Sequence, residues 1–192
     1  RTVQFARYTS RTPYAGVRDA SANGDGIKLK PLKDYYIDNL EIAEDPSHPD
    51  YESKRTLISE LKQRGKWPAK PDLRRWWGSG RWANSEGAPQ RCVTLEDDSE
   101  LITRHEVKDN PPDILITNYS MLEYMLMRPV EKSIFDSTKD WLDENPDENF
   151  LLVVDEAHLY RGAQGTEVAH LIRRLRARLG IPADRFQVIC TT

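Results

Sequence analysis

Two adjacent carboxylates at the end of an apolar run are the residues most able to do chemistry in this sequence. Asp155 and Glu156 directly follow the run FLLVV at 150–154. A carboxylate pair can hold a divalent cation and polarise a water molecule, which is what phosphoryl transfer requires. Burying a strand that ends in two acids is unfavourable unless a cation or a proton is bound there. The pair therefore marks a candidate site for a metal–phosphate ligand.

The elements that must position this pair can be predicted from the pattern around it. The run at 150–154 is typical of a strand buried on both faces of a parallel sheet. Ligands of open α/β sheets bind at the carboxyl ends of the strands, where Asp155 and Glu156 would lie. A helix with an apolar stripe from Val168 to Leu179 is predicted next, with Thr166 as its N-cap and Gly180 as its end. A further strand, which would contain Cys190, is predicted at 186–192.

The sequence DEAH at 155–158, followed by YRGAQGTEVA at 160–169, resembles motif II of the superfamily 2 DEAD/DEAH-box helicases, and most closely the mitomycin-repair-factor type of DNA helicase. The resemblance implies a RecA-like lobe of a P-loop NTPase that uses ATP and Mg²⁺. Asp155 would hold Mg²⁺ through its water shell, Glu156 would polarise the attacking water and His158 would relay the nucleotide state. Thr191 and Thr192 would begin motif III, which couples hydrolysis to strand movement. The alternative is a dehydrogenase-like or receiver-like strand that ends in acids.

Two further segments resemble the nucleic-acid contacts of these helicases. A strand at 113–117 leads into a helix, and the resemblance places Thr117 and Asn118 at the DNA backbone; Tyr119 departs from the commoner proline. Helix N-termini bind phosphate, which agrees with this role, and the Ser120–Glu123 spacing predicts a capping box. Near the start of the chain, a short strand at 3–8 leads to a Thr-Pro turn. Phosphate-contact candidates there are Arg7, Thr9 and Arg11, although a strand edge with solvated arginines explains them equally.

A basic, tryptophan-rich window lies between these segments. From Lys54 to Arg91 there are ten Lys or Arg residues, three acids and four of the five tryptophans. Arginine interleaved with tryptophan suits a single-stranded nucleic-acid platform, for which the candidates are Arg74, Arg75, Trp76 and Trp77. The favoured alternative is an insertion whose tryptophans form its own core. The acidic residues at 96–98 predict a solvated turn.

Composition limits the class of protein. Charged residues make up 31% and hydrophobic residues 38%, with a formal net charge of -3, which excludes a uniformly basic nucleic-acid binder. No apolar run approaches the ~20 residues that span a bilayer, so no membrane contact is expected. With Cys92 and Cys190 as the only cysteines, a disulfide is unexpected, and a reducing cytoplasm is the predicted location.

The predicted fold is α/β: a RecA-like parallel sheet flanked by helices, forming part of a first helicase lobe with a large insertion. Residues 1–20 and 111–192 would belong to the lobe and 21–110 to the insertion. The phosphate-binding pattern G-x-x-x-x-G-K-[ST] is missing from the sequence. We therefore expect a piece of a longer protein that alone binds ATP weakly and hydrolyses none.

The predicted function of the full protein is ATP-dependent helicase or translocase activity on nucleic acid, with DNA, single-stranded or duplex with an overhang, as the expected substrate. Protein partners in a repair or defence complex are also expected. Two alternatives remain at this point: a nucleic-acid-binding module without motor activity, and a degenerate helicase-like scaffold.

Overall fold

A computed structural model describes residues 2–13, 25–80 and 83–192. It has the predicted mixed α/β architecture, with parallel strand pairs accompanied by helices. Residues 1–116 and 117–192 form two compact units. None of the helices in the described ranges is long and apolar enough to cross a bilayer.

The first unit contains a sheet with the strand order β2-β1-β3. Strand β1 is Phe5–Tyr8, β2 is Glu100–Leu101 and β3 is Ile114–Thr117. β1 and β2 are parallel, with Phe5 opposite Glu100. On the other side of β1, the Ile114 amide donates a hydrogen bond to the Gln4 carbonyl at 3.0 Å. Strand pairing therefore joins the start of the chain to residues about 100 positions away.

The helices of this unit occupy mainly the predicted insertion. A continuous helical run consists of α1 (Asp25–Leu32), a π-helical segment (Lys33–Ile37) and α2 (Asp38–Ile42). It is followed by α3 (Tyr51–Gln63), α4 (Leu73–Trp77) and α5 (Arg104–Asp109). Helix α3 ends two residues before Gly65, which has a positive φ of 60°.

Two tryptophans of the basic window lie in the hydrophobic core of this unit. Trp76 is fully buried and Trp77 is 6% exposed. The other buried members of the cluster are Leu29, Ile37, Leu73 and Cys92. This burial is what the core alternative predicted, and it leaves the Trp76 ring without a free face for stacking on a base. Arg81 and Trp82 of the same window lie outside the described residues.

A buried ionic network crosses the same core. The Lys70 ammonium donates to Asp98 Oδ2 and to Glu106 Oε1, at 2.7 Å each, and all three side chains are fully buried. Trp76 Nε1 also donates to Glu106 Oε1 at 2.9 Å. The prediction of a solvated acidic turn was therefore wrong for Asp98, because its carboxylate pairs with a lysine 28 residues away in sequence.

The second unit is built on two parallel strands, β4 (Phe150–Val154) and β5 (Phe186–Cys190), paired without offset from Phe150↔Phe186 to Val154↔Cys190. Its helices are α6 (Tyr119–Met127), α7 (Lys132–Glu144) and α8 (Gly162–Leu179). Helix α8 packs against α6 and α7. The buried apolar residues of the three helices are Met121, Met125, Ile134, Phe135, Leu142, Leu171, Leu175 and Leu179.

Burial of β4 differs from the prediction. Leu151 is 51% exposed and Val153 is 54% exposed, so the strand is not buried on both faces. Cys190 lies in β5 as predicted but is exposed. Within the described residues β4 and β5 form a two-stranded sheet, which covers β4 along only one edge.

Two predicted helix starts were also wrong. Helix α6 begins after Asn118, whose side chain accepts a hydrogen bond from the Met121 amide at 2.9 Å, so Ser120 is inside the helix. Helix α8 begins after Arg161, and the Thr166 hydroxyl donates back to the Gly162 carbonyl at 3.3 Å. Gly180 ends α8 as predicted, in the left-handed region with φ +69°.

Candidate active site

The parallel register of β4 and β5 brings the DEAH sequence at 155–158, which we call the acidic box, next to the residues that follow β5. Because Val154 pairs with Cys190, the chain leaves both strands at the same level of the sheet. The Thr191 amide donates to the Val154 carbonyl at 3.0 Å, and the Ala157 amide donates to the Thr191 carbonyl at 2.9 Å. The Thr191 hydroxyl also donates to Asp155 Oδ1. Backbone and side-chain bonds therefore join Thr191 to the box.

The second carboxylate is positioned by an unusual backbone conformation. Glu156 has φ 50° and ψ 42°, the left-handed region, which costs an L-residue about 1 kcal/mol. Its amide donates to Asp155 Oδ1 at 3.1 Å. A short 3-10 turn, Ala157–Leu159, follows immediately. The strained backbone turns the chain directly after Asp155 and leaves both carboxylates exposed at the end of β4.

His158 completes the local arrangement. Its Nδ1 lies 3.3 Å from Glu156 Oε2, and its carbonyl accepts a hydrogen bond from Arg161 Nε at 2.8 Å. The chain then enters α8 through a tight connection, because a Cβ built on Gly165 would lie 2.9 Å from the Tyr160 carbonyl oxygen. The box and the start of α8 are thus linked by contacts within about ten residues of sequence.

The donor chemistry of the box fits a magnesium–nucleotide ligand. Asp155 and Glu156 offer exposed carboxylate oxygens, the hard ligands that Mg²⁺ prefers together with water and phosphate oxygens. Among the described residues there is no group of three or more His, Cys, Asp or Glu side chains that could hold a metal by itself. A cation here would therefore need ligands from water and from the bound phosphates.

The predicted nucleic-acid residues of the second unit lie at the start of α6. Thr117 ends β3, and Asn118 is the N-cap of α6. Partial burial raises the pKa of the Tyr119 hydroxyl, and the carboxylates of Glu123 and Glu167 raise it further. The Asn118 side-chain oxygen is occupied by the cap, so a phosphate contact there would use its NH₂ group or the helix amides.

The predicted nucleic-acid residues of the first unit fall into two groups. Arg7 is exposed and pairs with Glu100 at 3.3 Å, and Thr9 and Arg11 lie in the turn after β1. In the other group, Arg74 pairs with Glu44 and the Arg75 amide donates to Asp72 Oδ1 at 2.9 Å, capping α4. The structure does not combine Arg74 and Arg75 with exposed faces of Trp76 and Trp77, because both of these side chains are buried.

Sequence reasoning did not predict helix α5 of the first unit. Helix α5 begins with a capping box in which Thr103 and Glu106 bond each other's backbone amides. The T-x-x-E spacing at 103–106 was the signal that could have found it. Arg104, the first residue of α5, donates a hydrogen bond to the Thr9 carbonyl at 2.8 Å.

Comparison with known proteins gives two relatives. The chain is 43% identical over 204 residues to the Druantia protein DruE of Escherichia coli, covering 99% of the chain and 10% of that relative. It is 32% identical over 100 residues to an uncharacterized ATP-dependent helicase of Methanocaldococcus jannaschii, covering 52% of the chain and 13% of that relative. The chain thus spans about a tenth of the length of the curated relatives it matches. No protein-family model and no solved structure matches it. By sequence, the chain is a homologue of a Druantia protein and, more distantly, of an ATP-dependent helicase.

Proposed function

We propose that this chain is the part of an ATP-dependent nucleic-acid helicase or translocase that carries the acidic box of its ATPase site, and that the nucleic acid is DNA. The sequence similarity to an ATP-dependent helicase supports the activity class. The acid-tipped parallel strand supports the chemistry, because phosphoryl transfer depends on positioning and on charge neutralisation at the end of such a strand.

One observation carries the proposal: the Thr191 hydroxyl donates to Asp155 Oδ1 at the point where two parallel strands in register both end. A motor needs its hydrolytic carboxylates tied to an element that can respond to the nucleotide. Thr191 is bonded to Asp155 by its hydroxyl and to Val154 and Ala157 by its backbone. This geometry supports the coupling role proposed for Thr191, and the resemblance extends that proposal to Thr192.

The roles of the box residues follow from their placement. Asp155 would hold Mg²⁺ through water, and the bound Mg²⁺ would neutralise charge on the phosphates. Glu156, exposed on its left-handed turn, would polarise the attacking water. His158, 3.3 Å from Glu156, would sense the state of that carboxylate.

The buried Trp76 and Trp77 have no part in the proposed nucleic-acid contacts, which are Arg7, Thr9, Arg11, Thr117 and Asn118. Partner proteins in a repair or defence complex are a further part of the proposal.

The test is ATP turnover by the full-length protein with and without single-stranded DNA, and with RNA for comparison. Asp155→Asn and Glu156→Gln keep side-chain volume, and we expect each to lower turnover at least ~100-fold, about 2.7 kcal/mol of transition-state stabilisation. Asp143→Asn, an exposed acid of α7, is the matched control and should turn over like the wild type. Wild-type turnover by either box variant would refute the assignment. An inactive wild-type protein would favour a helicase-like scaffold.

A further inference from the structure

The turn that follows β1 is held by its own hydrogen bonds. The Thr9 amide donates to Thr12 Oγ1 at 2.9 Å, and the Thr12 hydroxyl donates to the Arg7 carbonyl at 2.7 Å. The Thr12 amide donates to the Thr9 carbonyl at 3.1 Å, and the Arg11 amide donates to Thr9 Oγ1 at 3.3 Å. Thr12 thus closes the loop between the two exposed arginines, Arg7 and Arg11.

Arg104 supports the same turn from the protein interior. Its guanidinium donates to the Thr9 carbonyl at 2.8 Å, and its backbone amide donates to the Pro13 carbonyl at 3.0 Å. The guanidinium also lies 5.1 Å from the centre of the fully buried Tyr8 ring. Arg104 is only 7% exposed, so it holds the turn at both ends but is too buried to bind a polyanion directly.

Helix α5 fixes Arg104 to the core of the same unit. Glu106, two residues later, accepts hydrogen bonds from Lys70 and Trp76 inside the core and from the Thr103 hydroxyl at 2.9 Å. Because the capping box rigidifies the first turn of α5, the position of Arg104 depends on the position of this network. The segment predicted to be an insertion is therefore connected to the turn after β1 through one short helix.

We propose that Arg104 and Thr12 are positioning residues that hold the turn at 9–13 in place. The turn then presents Arg11, beside Arg7 of β1, to the phosphate backbone of a nucleic acid. The inference rests on the proposed function, since it names how that function's nucleic-acid contact is built. Arg7 is 71% exposed at its side chain, and its contact with Glu100 at 3.3 Å is a surface ion pair, which a phosphate can replace at small cost. The proposal gives the segment at 21–110 a role in nucleic-acid binding that does not require its tryptophans to stack on bases.

The experiment is binding of a fluorescently labelled single-stranded oligonucleotide to the full-length protein, followed by anisotropy at fixed salt. We expect Arg104→Met to raise Kd about tenfold and Arg11→Ala to raise it severalfold. In the Arg104→Met background, Arg11→Ala should add less than twofold, because a displaced turn no longer presents Arg11. Arg55→Met, which removes an exposed arginine that also lies over a tyrosine ring, at 5.2 Å on α3, is the control for the loss of one positive charge.

Thr12→Val gives an independent test that leaves the buried Arg104 in place. It removes the hydroxyl that links Arg7 and Thr9, and we expect Kd to rise about threefold or more. Thr56→Val is its control, because the Thr56 hydroxyl also donates to a backbone carbonyl, that of Glu52 at 2.9 Å. Thermal unfolding of each variant shows whether it is folded; if Arg104→Met does not fold, Thr12→Val decides.

The outcomes separate this inference from the proposed function. If the wild type binds the oligonucleotide and hydrolyses ATP, but Thr12→Val and folded Arg104→Met bind as tightly as the wild type, the positioning role is wrong and the function stands. Full additivity of Arg104→Met and Arg11→Ala would also overturn the positioning role. If the wild-type protein does not bind the oligonucleotide, both proposals fail.

Discussion

The Thr191 hydroxyl donates a hydrogen bond to Asp155 Oδ1, joining two residues 36 positions apart in sequence. Both residues are the first after their strands, and the unbroken pairing of β4 with β5 sets them side by side. Because the acceptor is a carboxylate, the bond belongs to the stronger class of hydrogen bonds, with a net contribution of about 1.5–3 kcal/mol in favourable cases. Asp155 is exposed here, and solvent screening reduces the contribution of this bond to about 1 kcal/mol or less.

Thr191→Val keeps the shape of the side chain and removes this donor. We expect ATP turnover by the full-length protein to fall about tenfold, because Asp155 loses the contact that orients its carboxylate. Thr166→Val, which removes an exposed hydroxyl in α8, is the control and should change turnover less than twofold. Steady-state ATP hydrolysis measures both variants, and equal rates would show that Thr191 does not orient Asp155.

Glu156 has a left-handed backbone conformation, which is strained for a residue that carries a side chain. Glu156→Ala and Glu156→Gly both remove the carboxylate, and both should abolish ATP turnover. Only glycine removes the strain at φ 50°, so we expect Glu156→Gly to be more stable than Glu156→Ala by about 0.5–1 kcal/mol. Chemical denaturation of the two variants measures the difference. Equal stability would mean that the turn relaxes in solution.

Lys70, the buried lysine of the first unit, is expected to contribute strongly to the unfolding free energy of that unit. Lys70→Met leaves the carboxylates of Asp98 and Glu106 buried without their cation, and the expected loss is about 3–5 kcal/mol of unfolding free energy. Lys30→Met breaks an exposed ion pair with Asp34 and should cost less than about 1 kcal/mol. Urea unfolding curves compare the two. A loss of less than about 1 kcal/mol for Lys70→Met would contradict the buried network.

Two glycines in the segment after α4 provide a matched pair. Gly78 and Gly80 have φ +75° and +83°, so a side chain at either position is strained, at a cost of about 1–3 kcal/mol. At Gly78 an added Cβ would also lie 2.1 Å from the Gln90 carbonyl oxygen, whereas at Gly80 no atom of the described residues lies within 4 Å of it. We therefore expect Gly78→Ala to lower the unfolding free energy by several kcal/mol more than Gly80→Ala. Similar melting temperatures for the two variants would argue against this close approach.

Local patterns predicted the elements around the box. The apolar run of β4, the apolar stripe of α8 and the glycine at its end are signals contained within a few residues, and all three elements are present. Helix α7 was missed because its last turn runs into an acidic, Pro-containing stretch that is typical of a loop. The N-cap of α6 is Asn118 and not Ser120, because either side chain could have capped the helix. The start of α8 was misplaced because its N-cap, Arg161, makes no side-chain cap, so no capping residue marks it in the sequence.

Contacts distant in sequence could not be predicted. Burial of Asp98 depends on Lys70, and the support of the Thr9 turn depends on Arg104, 95 positions away. Composition alone could not place the tryptophans either, since the same interleaving of Trp and Arg suits a stacking platform and a small core. The structure resolves that choice for Trp76 and Trp77 through their burial.

The exposure of Cys190 has a practical consequence. Cys190 pairs in register with Val154, the residue directly before Asp155, and its thiol is exposed, whereas Cys92 is buried. A thiol-reactive fluorophore added to the folded chain should therefore attach at one place, one residue from the carboxylates. Among these 192 residues, the native sequence thus contains a reporter position beside its candidate site, at which nucleotide binding could be followed optically without introducing a new cysteine.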